Sequence, residues 1–397
     1  MDGPMKDIRV LDVSRVLAGP FCSMILGDLG ADIVKVEPPE GDLTRSWGPP
    51  FLDGESCYYL SVNRNKRSIC VDLSRQEGRD VLYDLVRASD VFLENFRPGV
   101  AQRLGIGYDR VKEVKRDIIY CSISGFGQDG PYRDTPSFDI ILQALGGFMG
   151  ITGEEGRPPV RIGVAIADLG AGLHAAIAVL AALWRWGRTG KGAYIDVSIL
   201  DGQVFWLTYM AQQYFLTGTP PTRMGSRHPN IAPYQAFRTA DGYIVVAAAN
   251  EKFWNGMCRA LEKEDLASME DFSTNEMRIE NREALDEHLE GIFRKRRTED
   301  WLQRLQAEGV PCAPVNPLDR VFSDPQVLHR GMVKEVRHSS LGQIKQLGFP
   351  FKFPTWDFDI RFAPPLKGEH TREVLKEIGY GEDRIEKLRE SRVVFGA

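Results

Sequence analysis

Short runs of β-branched and apolar residues alternate with helical spacing through the first 125 residues, and no other feature of the chain narrows its possible folds as far. IRVLDVS (8–14), DIVKVE (32–37), SICVDL (68–73), DVFLENF (90–96) and IIYCSIS (118–124) have the length and composition of strands, while GPFCSMILGDLGA (19–31) and QEGRDVLYDLVRAS (76–89) repeat at the helical period. This rhythm predicts an α/β fold built on a parallel, Rossmann-like sheet with helices on its faces. The strands are apolar almost from end to end, as burial on both faces demands. Ligands of such open sheets sit beyond the carboxyl ends of the strands. That directs attention to 14–20, 37–42, 72–75, 95–99 and 124–131.

A chain of 397 residues exceeds what one hydrophobic core supports, so a second domain is expected. The Rossmann-like large domain is read as 1–200, completed by about 330–397. Residues 201–224 are read as a linker, since TGTPPTRMGSRHPNIAP (217–233) concentrates Pro, Gly and small polar residues. A smaller α+β domain is expected over 225–325, with a hairpin turning at Asp241 and Gly242 and an amphipathic helix in NREALDEHLEGIFRKRR (281–297). Residues 326–397 then lead back to the large domain. One segment, LGAGLHAAIAVLAALWRW (169–186), is about long enough to cross a bilayer. It contains His174 and Arg185 and stands alone, so it is read as a helix buried in a soluble core, with no membrane partner.

The 50 Lys and Arg against 55 Asp and Glu leave a net charge of −5, which offers a polyanion no global attraction. Nucleic acid is therefore not an expected partner. Six scattered cysteines form no CxxC pair, and the first seven residues carry neither an apolar h-region nor an Arg-rich stretch. Reduced thiols and a cytoplasmic location are the expectation.

Several chemistries lack their motifs. The first strand is followed by SRVLAGPF rather than GxGxxG, no GxxxxGK[ST] or GxSxG occurs, and the six histidines show no HxxxH spacing. A metal is not expected. Among the carboxylates Asp168 stands out, at the threshold of the long apolar segment, where a side chain can cap free N–H groups and feel the positive end of the helix dipole. An ordinary N-cap accounts for it; so does a poorly hydrated, ionised nucleophile between apolar walls. ENFRPG (94–99) puts Asn95, Phe96 and Arg97 at a strand's carboxyl end, with Arg103 just beyond. This is either a plain turn with solvated arginines or an aromatic plate with guanidinium forks for an adenine-and-phosphate ligand. GFGQDGP (125–131) is either a turn or a set of backbone N–H groups for an anion.

LDVSRVLAGPFCSMILGDLGADIVKVEPPEGD (11–42), YYLSVNRNKRSICVDL (58–73), DVFLENFRPG (90–99), YCSISGFGQDGP (120–131), GVAIADLGAGLHA (163–175) and ADGYIVVAAAN (240–250) occur in an order that resembles the class III CoA-transferase family over residues 7–391. Within it the chain is most similar to the succinyl-CoA–glutarate type. The resemblance implies that Asp168 attacks the acyl-CoA to give an aspartyl anhydride and then an aspartyl-CoA thioester, from which CoA passes to an acceptor acid. It implies coenzyme A contacts at Val16, Ala18, Val71, Asn95, Phe96, Arg97 and Arg103, and an interlocked ring homodimer. The chain departs from formyl-CoA transferase by Pro38 in place of an arginine near the adenosine phosphates. A CoA-contacting lysine falls on Ser74, with Arg75 one step away. RMGSRHPNIAP (223–233) replaces that enzyme's run of four glycines, which disfavours an oxalate-sized acid. Arg227, His228 and Asp139 are the residues expected to face a longer dicarboxylic acid.

Two other readings stay open. An acyl-CoA racemase of the same fold needs a histidine paired with the aspartate, and that dipeptide falls on Phe138 and Asp139 here. A non-catalytic CoA-binding protein would keep ENFRPG and have no use for Asp168.

Overall fold

The computed structural model describes residues 3–353, 355–356 and 359–396. The strand signals resolve into β1 (Arg9–Asp12), β2 (Asp32–Glu37), β3 (Lys66–Val71), β4 (Val91–Glu94), β5 (Ile119–Ser124) and β6 (Ala193–Ser198). They pair in parallel in the order β3-β2-β1-β4-β5-β6, and Val394–Phe395 adds an antiparallel edge strand beside β3. In this doubly wound order the connections leave β1 and β4 in opposite directions. A crevice therefore opens above their carboxyl ends.

Both faces of the sheet are covered, as the apolar strands foretold. Val10 of β1 and Val91 and Leu93 of β4 point into one core with α1 (Ala18–Asp28), whereas Leu11 and Phe92 point into the other with α2 (Gln76–Arg87). The alternation follows from the two-residue period of a strand. The last strand-connecting helices are α3 (Asp139–Leu145) and α4 (Ile166–Thr189).

The chain divides into two compact units, one of Met1–Phe148, Ile162–Tyr209 and Gln326–Ala397, the other of Met149–Arg161 and Met210–Pro325. The segment read as a linker is largely helical, with helices at Ile199–Phe205 and Thr208–Thr217. Residues 149–161, read with the large domain, join the second unit. Inside that unit Tyr234–Arg238 and Tyr243–Ala247 form an antiparallel hairpin whose third partner is Cys312–Pro314.

α4 corrects the expectation of a fully buried helix. Its apolar window has a mean hydropathy of 1.9, yet only 39% of that window is buried. Ala171, Ala175, Ala176 and Val179 face the sheet, while Leu173, Ile177, Leu180 and Trp184 form an exposed stripe at helical spacing. The buried side packs by small residues. A Cβ on Gly172 would lie 2.5 Å from the Ala18 carbonyl oxygen and 3.3 Å from the Cys22 nitrogen, so α4 can approach the start of α1 only with glycine there.

Gly172→Ala is thus an overpacking change against backbone, with an expected cost of about 1–3 kcal/mol. Thermal unfolding of the variant checks this; an unchanged Tm would mean that the two helices have room to part.

Candidate active site

The crevice over β1 and β4 contains a cavity of about 150 Å³. Its walls come from three strand ends: Val16, Leu17 and Ala18 after β1, Asn95, Phe96, Arg97 and Pro98 after β4, and Ile123 to Phe126 at the end of β5. Asp168, Phe138 and Arg133 are among the other residues that line it. A second cavity of about 320 Å³ lies beyond Phe96, lined among others by Arg15, Pro38, Glu40, Asp72, Ser74 and Leu104. Phe96 lines both.

The β1–α1 loop is held rigidly. Asn95 accepts from the Arg15 N–H at 2.8 Å and donates to the Arg15 carbonyl at 2.7 Å. Val16 stands at φ 67°, a left-handed conformation that is strained for a β-branched side chain. Its N–H donates to Asp42 Oδ1 at 3.3 Å, and Lys35 Nζ, wholly buried, donates to Asp42 Oδ2 and to the Ser14 carbonyl at 2.9 and 3.0 Å. Burial by itself would raise the Asp42 carboxyl, but the Lys35 charge and the Thr44 N–H hold it down to about 2. A charged pair buried beneath the loop thus offsets its strain. Glu94 contributes from the other side, accepting from the Phe96 N–H at 2.7 Å.

Asp168 lies in the first turn of α4, three residues past the N-cap position at Ala165, and does not cap the helix. That task falls to Asp139. Its Oδ1 accepts from the Ala167 N–H at 2.8 Å, and its Oδ2 accepts from Gln143 Nε2 at 2.7 Å, while Gln143 Oε1 takes the Ile162 N–H at 2.9 Å. The Asp168 carboxylate is half-buried and has no hydrogen-bond or ion-pair partner among the described residues. Burial, then the neighbouring charge of Asp139, push it up to about 7. The expectation that the helix dipole would keep it ionised is therefore corrected: desolvation prevails. Tyr58 stands close enough that burial and the charges of Asp168 and Asp139 raise its phenol to about 12.

The other predicted residues divide. Val16, Ala18, Asn95, Phe96, Arg97 and Asp168 meet in one cavity. Val71 does not reach either cavity, because its side chain is sealed in the core where β3 meets Val394; the next three residues line the second cavity instead. Arg75 lines neither, and its guanidinium is committed to the Ser391 carbonyl and lies 3.7 Å from Glu77. Arg103 is exposed, with Nη1 3.3 Å from where a Cβ on Gly99 would stand. Asp139, expected to face substrate, has both oxygens taken by the scaffold. Arg227 and His228 belong to the second unit, where Arg227 pairs with Asp286 at 2.8 Å and the His228 ring lies against Tyr234. Arg15, Arg133 and Tyr58 were not singled out from the sequence. Arg15 alone had a signal, its place directly after the first strand. No group of three or more His, Cys, Asp or Glu poised for a metal occurs among the described residues.

A cleft that joins an unpaired carboxylate to an aromatic plate and exposed arginines is what comparison with known proteins bears on. Residues 5–371 match the model of CoA-transferase family III. The chain is 43% identical over 382 residues to succinyl-CoA:glutarate CoA-transferase of Homo sapiens, covering 96% of this chain and 87% of that one. It is 39% identical to succinyl-CoA:mesaconate CoA-transferase of Haloarcula hispanica, covering 97% and 99%. Among solved structures it is similar to a CAIB/BAIF family protein from Brucella suis, with a TM-score of 0.87 at 39% identity, over 95% of this chain and all of that one. The chain is a member of CoA-transferase family III.

Proposed function

We propose that the protein moves coenzyme A from succinyl-CoA to a four- or five-carbon dicarboxylic acid, with Asp168 as the covalent carrier. The donor and acceptor rest on relatives named for succinyl-CoA with glutarate or mesaconate. The observation that carries the mechanism is Asp168 itself, a carboxylate without a partner among the described residues, in the cavity shared by the loops after β1 and β4. An Asp168 oxygen attacks the acyl carbon, the C–S bond breaks, and CoA leaves as its thiolate from an aspartyl–succinyl anhydride. The thiolate attacks the aspartyl carbonyl of the anhydride and expels succinate, leaving an aspartyl-CoA thioester. The acceptor carboxylate then repeats the two exchanges in reverse and departs as the new thioester. Each step trades one anion for another, so no proton moves, and covalent catalysis divides one hard exchange into several balanced ones.

In this reading the pantetheine arm enters the first cavity and the nucleotide lies beyond Phe96, with Arg97 and Arg103 at hand for phosphates. The racemase reading gains no support. Phe138 occupies the position where the second proton carrier is needed, and no histidine lines the cavity among the described residues. His174, on α4, accepts from Trp206 Nε1 at 3.1 Å.

The protein acts, we propose, as a homodimer. Ile177 is 58% exposed and Trp184 66%, on the helix whose His174 ring lies against exposed Phe205; exposed apolar surface of this kind marks an interface. Its six free thiols favour a reducing, cytoplasmic-type compartment.

Asp168→Ala should retain CoA binding and lose turnover by several orders of magnitude. Mass spectrometry after succinyl-CoA and hydroxylamine or borohydride should show trapping at Asp168; normal turnover in the variant would overturn the mechanism. A panel of dicarboxylic acids incubated with succinyl-CoA, read by appearance of the new thioester, identifies the acceptor.

Because the nucleophile is the ionised form, kcat/KM for acyl-CoA should fall as pH drops through about 7. Asp139→Asn, which removes the like charge, should move that limb to lower pH. Stability runs the other way. Between about pH 4 and 7 the folded chain keeps a proton on Asp168 that the unfolded chain has lost, so ionisation works against folding as pH rises. Asp168→Asn should therefore raise Tm at pH 8 and leave it unchanged at pH 4, measured by calorimetry. For the dimer, light scattering should give twice the chain mass, and Ile177→Glu with Trp184→Glu should give monomer; a wild-type monomer would exclude the interface.

A further inference from the structure

The cavity beyond Phe96 is acidic except at one point. Glu37, Glu40 and Asp72 line it, and Arg15 is the only cationic side chain in its lining among the described residues. Two of the acids are already engaged: Glu37 accepts twice from Arg45 and once from Ser68, and Asp72 accepts from the Ser74 N–H and hydroxyl. Arg15 is different. Its backbone is clamped on both sides by Asn95, and its guanidinium lies over the Phe96 ring, 4.6 Å from the centroid. The side chain makes no ion pair and no hydrogen bond among the described residues, although Asp42 and Glu40 act on its charge. A half-buried fork of five donors, positioned by stacking and left without acceptors, is prepared for a planar or tetrahedral oxyanion.

The nature of that anion follows from what the two cavities hold, and so rests on the transferase reading. If the acyl carbon meets Asp168 in the first cavity, the group that reaches past Phe96 is the nucleotide end of coenzyme A, whose ribose bears a phosphate. Pro38 and Ser74 line this same cavity and bring no charge to it. We propose that Arg15 receives the ribose 3′-phosphate of acyl-CoA and is the residue that distinguishes CoA from dephospho-CoA. Without Arg15, a dianion in this cavity would meet no cation in its lining among the described residues, so the preference rests on this side chain.

The test compares CoA and dephospho-CoA, titrated by calorimetry into the full-length protein. The wild type should bind CoA roughly tenfold or more tightly than dephospho-CoA, the worth of a charge-assisted contact. Arg15→Gln should remove that preference while its affinity for dephospho-CoA stays within about twofold, which also serves as evidence that the variant is folded. Arg15→Lys, a point charge without the fork, should keep a reduced preference. Equal weakening toward both ligands, or an undiminished preference for CoA, would overturn the role of Arg15 while leaving the transferase reading intact. A wild type that binds neither ligand would overturn both.

Discussion

A carboxylate withdrawn from water and given no counter-charge among the described residues is the constraint around which this site is organised. Burial removes solvent from Asp168, and Asp139 fixes the helix that carries it. The N-terminal N–H groups of α4 need an acceptor, because the first turn of a helix has none of its own. Asp139 provides one for Ala167, and Gln143, which bonds Asp139, accepts in turn from Ile162. The residue that anchors the helix is thereby also the charge that opposes ionisation of Asp168. Anchoring and basicity are coupled here, since one carboxylate does both.

The opposite wall solves a related problem by different means. A valine at φ 67° is a costly arrangement, and it persists only where the surroundings over-determine it. Lys35 and Asp42 supply that determination from inside the protein. A buried ion pair is weak evidence for stability, because desolvation consumes most of its attraction. Its use here is positional: the pair fixes the Ser14 carbonyl and the Val16 N–H, which are backbone groups that apolar packing would leave free to move.

The sheet was legible because apolar strands buried on both faces leave a strong signal, and β2 falls at the residues the pattern indicates. Phe96 and Asn95 were legible from their place at a strand's end. Other features carried no local trace. The start of α4 is capped by a residue 28 positions earlier, so Asp168 looked like a cap when it is the third residue of the helix. Val71 and Arg75 flank a strand end, and spacing alone does not say which of five consecutive residues turns toward a cleft. An Ala-rich, uniformly apolar run has no polar stripe to reveal that one face of α4 lies open. Residues 149–161 join the second unit; their glycines and the Pro158-Pro159 pair mark a break in the chain but not the unit on which it packs.

The proposed exchange asks for little acid–base equipment, and the lining residues are consistent with that economy. Carboxylate, thiolate and carboxylate succeed one another as nucleophile and leaving group, with the negative charge conserved at each step. A proton carrier would add nothing, and a water molecule would end the cycle by hydrolysing the anhydride or the thioester. Excluding water is the heavier demand. On that proposal a pKa near 7 for Asp168 has a reason: the dryness that would protect the intermediates is the same dryness that makes their precursor reluctant to ionise. A more hydrated Asp168 would be charged at every physiological pH and surrounded by the reagent most damaging to its product.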